Sequence, residues 1–94
     1  IDCYLVSLGE AAKDYTVKLL HDLRSNGFTA ERDYLDRKIK AQFKAADRLQ
    51  AKYVAVLGED ELNNHMINLK DMTSGEQKEV PLDQLIETLQ KLKN

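Results

Sequence analysis

A single cysteine, Cys3, excludes an internal disulfide and agrees with a reducing compartment. Placed in an apolar run, it reads as a small core residue. No apolar stretch approaches the roughly eighteen residues that a bilayer crossing needs, and the opening Ile1-Asp2-Cys3-Tyr4 lacks the basic start of a signal peptide. No membrane contact is expected, and a cytoplasmic location is. The two histidines, His21 and His65, have neither a cysteine at metal-ligand spacing nor a second histidine four residues on, so no metal site is expected. Serine is confined to Ser7, Ser25 and Ser74, none in the small-residue elbow that exposes a catalytic hydroxyl. Linkers, repeats and low-complexity segments are also missing.

What is present is an ordinary globular composition: 43% hydrophobic and 32% charged residues over 94 positions, enough for one core and too little for two. Residues 1–94 are therefore read as one domain. The chain opens at Ile1 without an initiator methionine, which suggests a piece excised from a longer protein. A net charge of −2 argues against indiscriminate coating of nucleic acid. The distribution is uneven, however. Between Arg32 and Lys52 seven basic residues face three acidic ones, so this segment carries +4 and the remainder −6. One basic segment on an acidic domain fits a local phosphate-facing surface, and it equally fits a solvated helix face.

Cys3 to Leu8 is continuously apolar and ends at Gly9, as in a strand covered on both faces. Ala12, Tyr15, Leu19 and Leu23 recur at helical spacing, and Asn26-Gly27 supplies a left-handed stop. A short second strand is predicted over 28–32. Ile39, Phe43, Ala46 and Leu49 then mark the inner face of a second helix, with Lys40, Lys44 and Arg48 on a neighbouring stripe. Tyr53 to Leu57 is a purely apolar third strand. Met66 to Met72 alternates, with Ile67 and Leu69 on one face and Asn68 and Lys70 on the other. Gln77 to Val80 returns across a turn at Ser74-Gly75, and Leu82, Leu85, Ile86, Leu89 and Leu92 line a final helix begun by Pro81. Two helical crossovers make the first three strands parallel, and short connections make the fourth antiparallel. The expected fold is a three-layer α/β/α sandwich around a five-stranded mixed sheet.

Chemistry is sparse. Leu8-Gly9-Glu10-Ala11-Ala12 lacks the glycine spacing that admits a phosphate, and Glu10 would repel one. A phosphoacceptor module would want an Asp after the third strand, where Leu57-Gly58-Glu59 stands. The cluster Gly58-Glu59-Asp60-Glu61 is more suggestive, because carboxylates accept hydrogen bonds from base amino and imino groups. A metal site and a solvated turn are the alternatives.

Four segments carry a family resemblance: Leu23-Arg24-Ser25-Asn26-Gly27, Lys38 through Asp47, Gly58-Glu59-Asp60-Glu61-Leu62, and Leu69-Lys70-Asp71-Met72 through Gly75-Glu76-Gln77. In this order and spacing they closely resemble histidyl-tRNA synthetases of the bacterial type. The resemblance implies the C-terminal anticodon-binding domain shared by the class II synthetases for histidine, threonine, proline and glycine. In that superfamily the acid ending the Gly-x-x-Glu turn and a basic residue nine positions later contact anticodon bases. These map onto Glu61 and Lys70, with Glu59 in the same turn and a lysine where arginine is more usual.

The family's loop after the second strand, here Tyr34 to Lys38, also approaches the anticodon. The implied surface therefore has Lys38, Lys40 and Lys44, beside Arg37, holding the stem backbone. Asp36, Gln42, Glu61 and Lys70 meet splayed bases, and Tyr34 is available for stacking. The implied partner is the anticodon stem-loop of a histidine tRNA bearing GUG. No cofactor is implied for this domain. ATP with magnesium, the catalysis and the homodimer interface belong to the part of the parent enzyme that is absent here. The same fold occurs in synthetase-like paralogues, so a protein-interaction domain is the competing reading, and a free-standing enzyme a third.

Overall fold

The computed structural model describes residues 1–33 and 38–93. Among them the order is β1 (Cys3–Ser7), α1 (Glu10–Ser25), β2 (Ala30–Arg32), α2 (Ile39–Arg48), β3 (Tyr53–Leu57), α3 (Glu59–Asn63), β4 (Met66–Asp71), β5 (Gln77–Pro81), a 3₁₀ turn (Leu82–Gln84) and α4 (Leu85–Lys93). The sheet runs β2-β1-β3-β4-β5, with β1 parallel to β2 and β3, and β4 antiparallel to both its neighbours. This is the mixed five-stranded sandwich expected from the sequence.

Crossover handedness assigns the layers. The step from β1 to β2 moves one way along the sheet, and the step from β2 over β1 to β3 moves back. Right-handed connections therefore put α1 and α2 on opposite faces. The larger core accordingly joins Cys3, Leu5, Ala55, Leu57, Ile67 and Leu69 to leucines of α1 and α4. The smaller core joins Tyr4, Val6 and Val54 to Ala45 and Ala46 of α2. β1 serves both, which is why Cys3 to Val6 is buried without alternation. Burial also pushes the Cys3 thiol up to about 12.

Two local expectations are corrected. Ile39 and Leu49, assigned to the inner face of α2, are 40% and 44% exposed, and the buried positions are Gln42, Ala45 and Ala46. The alanines let the helix lie close to the sheet, and Gln42 turns inward because it has a backbone to bond. The acidic cluster after β3, read as a turn, is the helix α3. Gly58 enters it in an extended conformation, and Glu59, Asp60 and Glu61 fill its first turn, where carboxylates complement the positive helix end. It ends at Asn63, and His65, just beyond the C-cap Asn64, has a positive φ of 55°.

The crossover reversal also creates a site. The chains leaving β1 and β3 diverge at the carboxyl ends of adjacent parallel strands, the position where open α/β sheets form crevices. On the α2-side face, the contacts of α2 among the described residues run chiefly to β1, and it reaches β4 through Phe43 against Lys70.

Candidate nucleic-acid interface

The crevice at the reversal is lined by Leu8, Gly9, Gly58, Glu59, Asp60 and Glu61, and encloses about 520 Å³. Its geometry rests on two glycines. Gly9 has φ +97°, and a Cβ there would lie 2.5 Å from Glu59 Oε1, so the Glu59 side chain is seated directly on the glycine. A Cβ on Gly58 would lie 3.3 Å from both carboxylate oxygens of Glu61. Glu61 therefore folds back over the start of its own helix. A crevice so rich in carboxylates repels a bare phosphate and accepts N–H donors.

The second part of the site is the β4–β5 half of the sheet on the α2 side, over which α2 makes few contacts among the described residues. Register puts Val56, Asn68 and Glu79 in one cross-strand row, and Val54, Lys70 and Gln77 in the next. The Lys70 ammonium lies 5.3 Å from the centre of the Phe43 ring of α2, a cation–π distance. That contact holds a flexible lysine against the flank of the helix. Lys70 pairs with Val54, four residues before Gly58, so it and the Glu61 turn stand about 13 Å apart along the strand at roughly 3.3 Å per residue.

Lys38, Lys40 and Lys44 are exposed, with Lys38 at the N-cap of α2. With 3.6 residues per turn, Lys44 lies about 200° round the helix from the buried Gln42 and points directly away from the sheet. Lys40 turns toward the Phe43 flank. The basic stripe is thus the outer rim of the open face and no part of its floor. Tyr34, Asp36 and Arg37 lie outside the described residues.

Gln42 does not join the site. It is 1% exposed, and both ends of its carboxamide are engaged by Ser7. The expectation that it meets a base is corrected on that ground. Two residues on this face escaped the sequence reading. Phe43 was counted as core, and nothing in its spacing separates a ring under a lysine from a ring in a core. Asn68 was assigned the right face and given no role. Its Oδ1 is buried with no hydrogen-bond partner among the described residues, which costs about 1–3 kcal/mol. The available signal was asparagine inside a strand, where it is depleted.

The described residues thus form an α/β/α domain with a lysine-bearing helix beside a polar stretch of sheet and an acidic crevice at the strand ends. The chain belongs to the anticodon binding domain family, whose model matches residues 2–92. It is 68% identical over 83 residues to histidine–tRNA ligase 2 of Bacillus cereus, covering 88% of this chain and 20% of that protein. It is 57% identical over 89 residues to the histidine–tRNA ligase of a Geobacillus species, covering 95% and 21%. Among solved structures, the apo histidyl-tRNA synthetase of Staphylococcus aureus superposes with a TM-score of 0.91 at 49% identity, over 95% of this chain and 26% of that one. The RNA binding domain of threonyl-tRNA synthetase from Cryptosporidium parvum superposes at 0.85 and 26% identity, over 96% of this chain and 23% of that one. The chain spans about a fifth of the length of the curated relatives it matches.

Proposed function

We propose that this chain is the anticodon-binding domain of a histidine–tRNA ligase, one domain of a longer synthetase, and that it binds the anticodon stem-loop of a histidine tRNA. The observation that carries the reading is the pairing of the β4–β5 sheet face bearing Lys70 with the lysines of α2 along its rim. Lys38, Lys40 and Lys44 hold stem phosphates and set the register, while Glu61, Glu59 and Lys70 face splayed bases. Tyr34, Asp36 and Arg37 belong to the same surface on the family's pattern. Ligation itself, with ATP and magnesium, and the homodimer contact are assigned to the part of the synthetase outside this chain, in the cytoplasm. Among the described residues, no helix is long and apolar enough to cross a membrane.

The protein-interaction alternative calls for a contiguous apolar patch. The large exposed apolar residues among those described are Leu8 after β1, Val17 on α1, Ile39 and Leu49 at opposite ends of α2, and Leu92 on α4, a scatter that favours the RNA reading.

The test is NMR shift mapping of this chain with a GUG stem-loop and one of changed anticodon, across a salt series. Shifts on Lys38 to Lys44, Glu61 and Lys70 that favour GUG support the reading. Residues unmoved by both RNAs at low salt sink it.

A further inference from the structure

The smaller-core face of the sheet carries two carboxamides with opposite circumstances. Gln42 has its acceptor and its donor both taken by Ser7. Asn68, at the centre of the open half between Val56 and Glu79, has a buried Oδ1 that nothing among the described residues satisfies. Buried polar atoms are almost always paired, and a valine or threonine would suit this strand position better. An amide without an internal partner can turn about its Cβ–Cγ bond without breaking a hydrogen bond. Asn68 is therefore poised to present its carbonyl to a ligand on the open face.

The unmet atom dictates the ligand's chemistry. An acceptor needs an N–H or O–H donor, which phosphate lacks and which base edges and the ribose 2′-hydroxyl have. Two residues along the same face, Lys70 offers only donors and is held in place by Phe43. An acceptor beside a cationic donor complements a keto base, whose carbonyl oxygen faces the lysine while its imino N–H faces the amide. Adenine and cytosine would instead turn an amino group toward the lysine. We propose, resting on the anticodon reading above, that Asn68 is a specificity-determining residue that accepts a hydrogen bond from the imino group of one anticodon guanine or uracil, with Lys70 on its keto oxygen.

The experiment measures affinities of this chain for the GUG stem-loop and for three loops in which one keto base becomes an amino base: AUG, GCG and GUA. The chain is compared with its Asn68→Val and Asn68→Ser variants, and melting temperatures are taken alongside. The expected result is a loss of roughly tenfold in discrimination at one anticodon position only, the scale of one base contact. Melting should be unchanged or raised in Asn68→Val, since the orphaned acceptor is gone. A purely structural asparagine predicts lowered melting with discrimination intact, and that result overturns the proposal. So does unchanged discrimination at all three positions in both variants, while wild-type preference for GUG leaves the anticodon reading standing. Absence of preference in the wild-type chain overturns both.

Discussion

The backbone of Ser7 is completed by the side chain of Gln42: the Ser7 N–H donates to Gln42 Oε1 at 3.1 Å, and Gln42 Nε2 donates to the Ser7 carbonyl at 3.1 Å. On that side β1 pairs with β2 only as far as Leu5 against Arg32. Gln42 supplies the donor and acceptor that the next residue of β2 would have given, and so ties α2 to the sheet. Gln42→Leu leaves two backbone groups unpaired at about 1–3 kcal/mol each, against about 1 kcal/mol for an ordinary hydrogen bond. We expect a loss of about 2–4 kcal/mol in urea unfolding. RNA discrimination by the folded fraction should be unchanged, in contrast to Asn68→Val.

Gly9 is required twice, by its φ of +97° and by the Glu59 carboxylate on its open side. Gly9→Ala should destabilise the chain by more than ~1 kcal/mol, because φ +97° with ψ 158° is a region that essentially only glycine occupies. Combining it with Glu59→Ala should recover the steric part and leave the backbone part. A double-mutant cycle by chemical denaturation separates the two, and full additivity would show that the Glu59 contact contributes nothing.

His65 and Gln50 hold positive φ angles of 55° and 56° without being glycine. Replacing either with glycine relieves left-handed strain that outweighs the added freedom of the unfolded chain, so each variant should gain about 0.5–1 kcal/mol. Thermal unfolding of the two single variants is the check.

Cys3 titrates near 12 because burial disfavours the thiolate, against an ordinary value of 9.0. Between these values the unfolded chain has lost the proton and the folded chain keeps it. Stability is thus fully present below pH 9 and falls as pH rises toward 12, at up to about 1.4 kcal/mol per unit. Cys3→Ala should be less stable at neutral pH, from the cavity, and should lack this part of the alkaline slope. The native thiol should resist alkylation until the chain unfolds.

The lysines of α2 and the residues of the sheet should fail differently. Lys40→Ala and Lys44→Ala should weaken all anticodon loops alike and each reduce the slope of log affinity against log salt by about 0.7–0.9. Glu61→Gln and Lys70→Met should change the ratio between loops. Fluorescence anisotropy across a salt series distinguishes them, and a lysine variant that alters the ratio would reassign that residue to base reading.

The sequence by itself determined the order of the five strands and of the three longer helices, the parallel and antiparallel pairings, and the family. These are local quantities: apolar periodicity, glycine stops and the lengths of connections leave few topologies open. It also determined that Asn68 and Lys70 share a face, because strand alternation has only two outcomes. The rotation of α2 was not decided there. Ile39, Phe43, Ala46 and Leu49 are the more apolar set, yet the helix turns Gln42 inward, because the Ser7 backbone groups on the side away from β3 are met by its carboxamide and no count of apolar residues registers that need. The α3 helix likewise depends on Gly58 giving room to Glu61 of its own first turn and on Gly9, across the crevice, giving room to Glu59. Only the tertiary structure separated the three carboxamide and lysine side chains of this face into one that completes the fold, one held by an aromatic ring and one left unmatched, since that outcome rests on which atoms meet across strands and helices far apart in the chain.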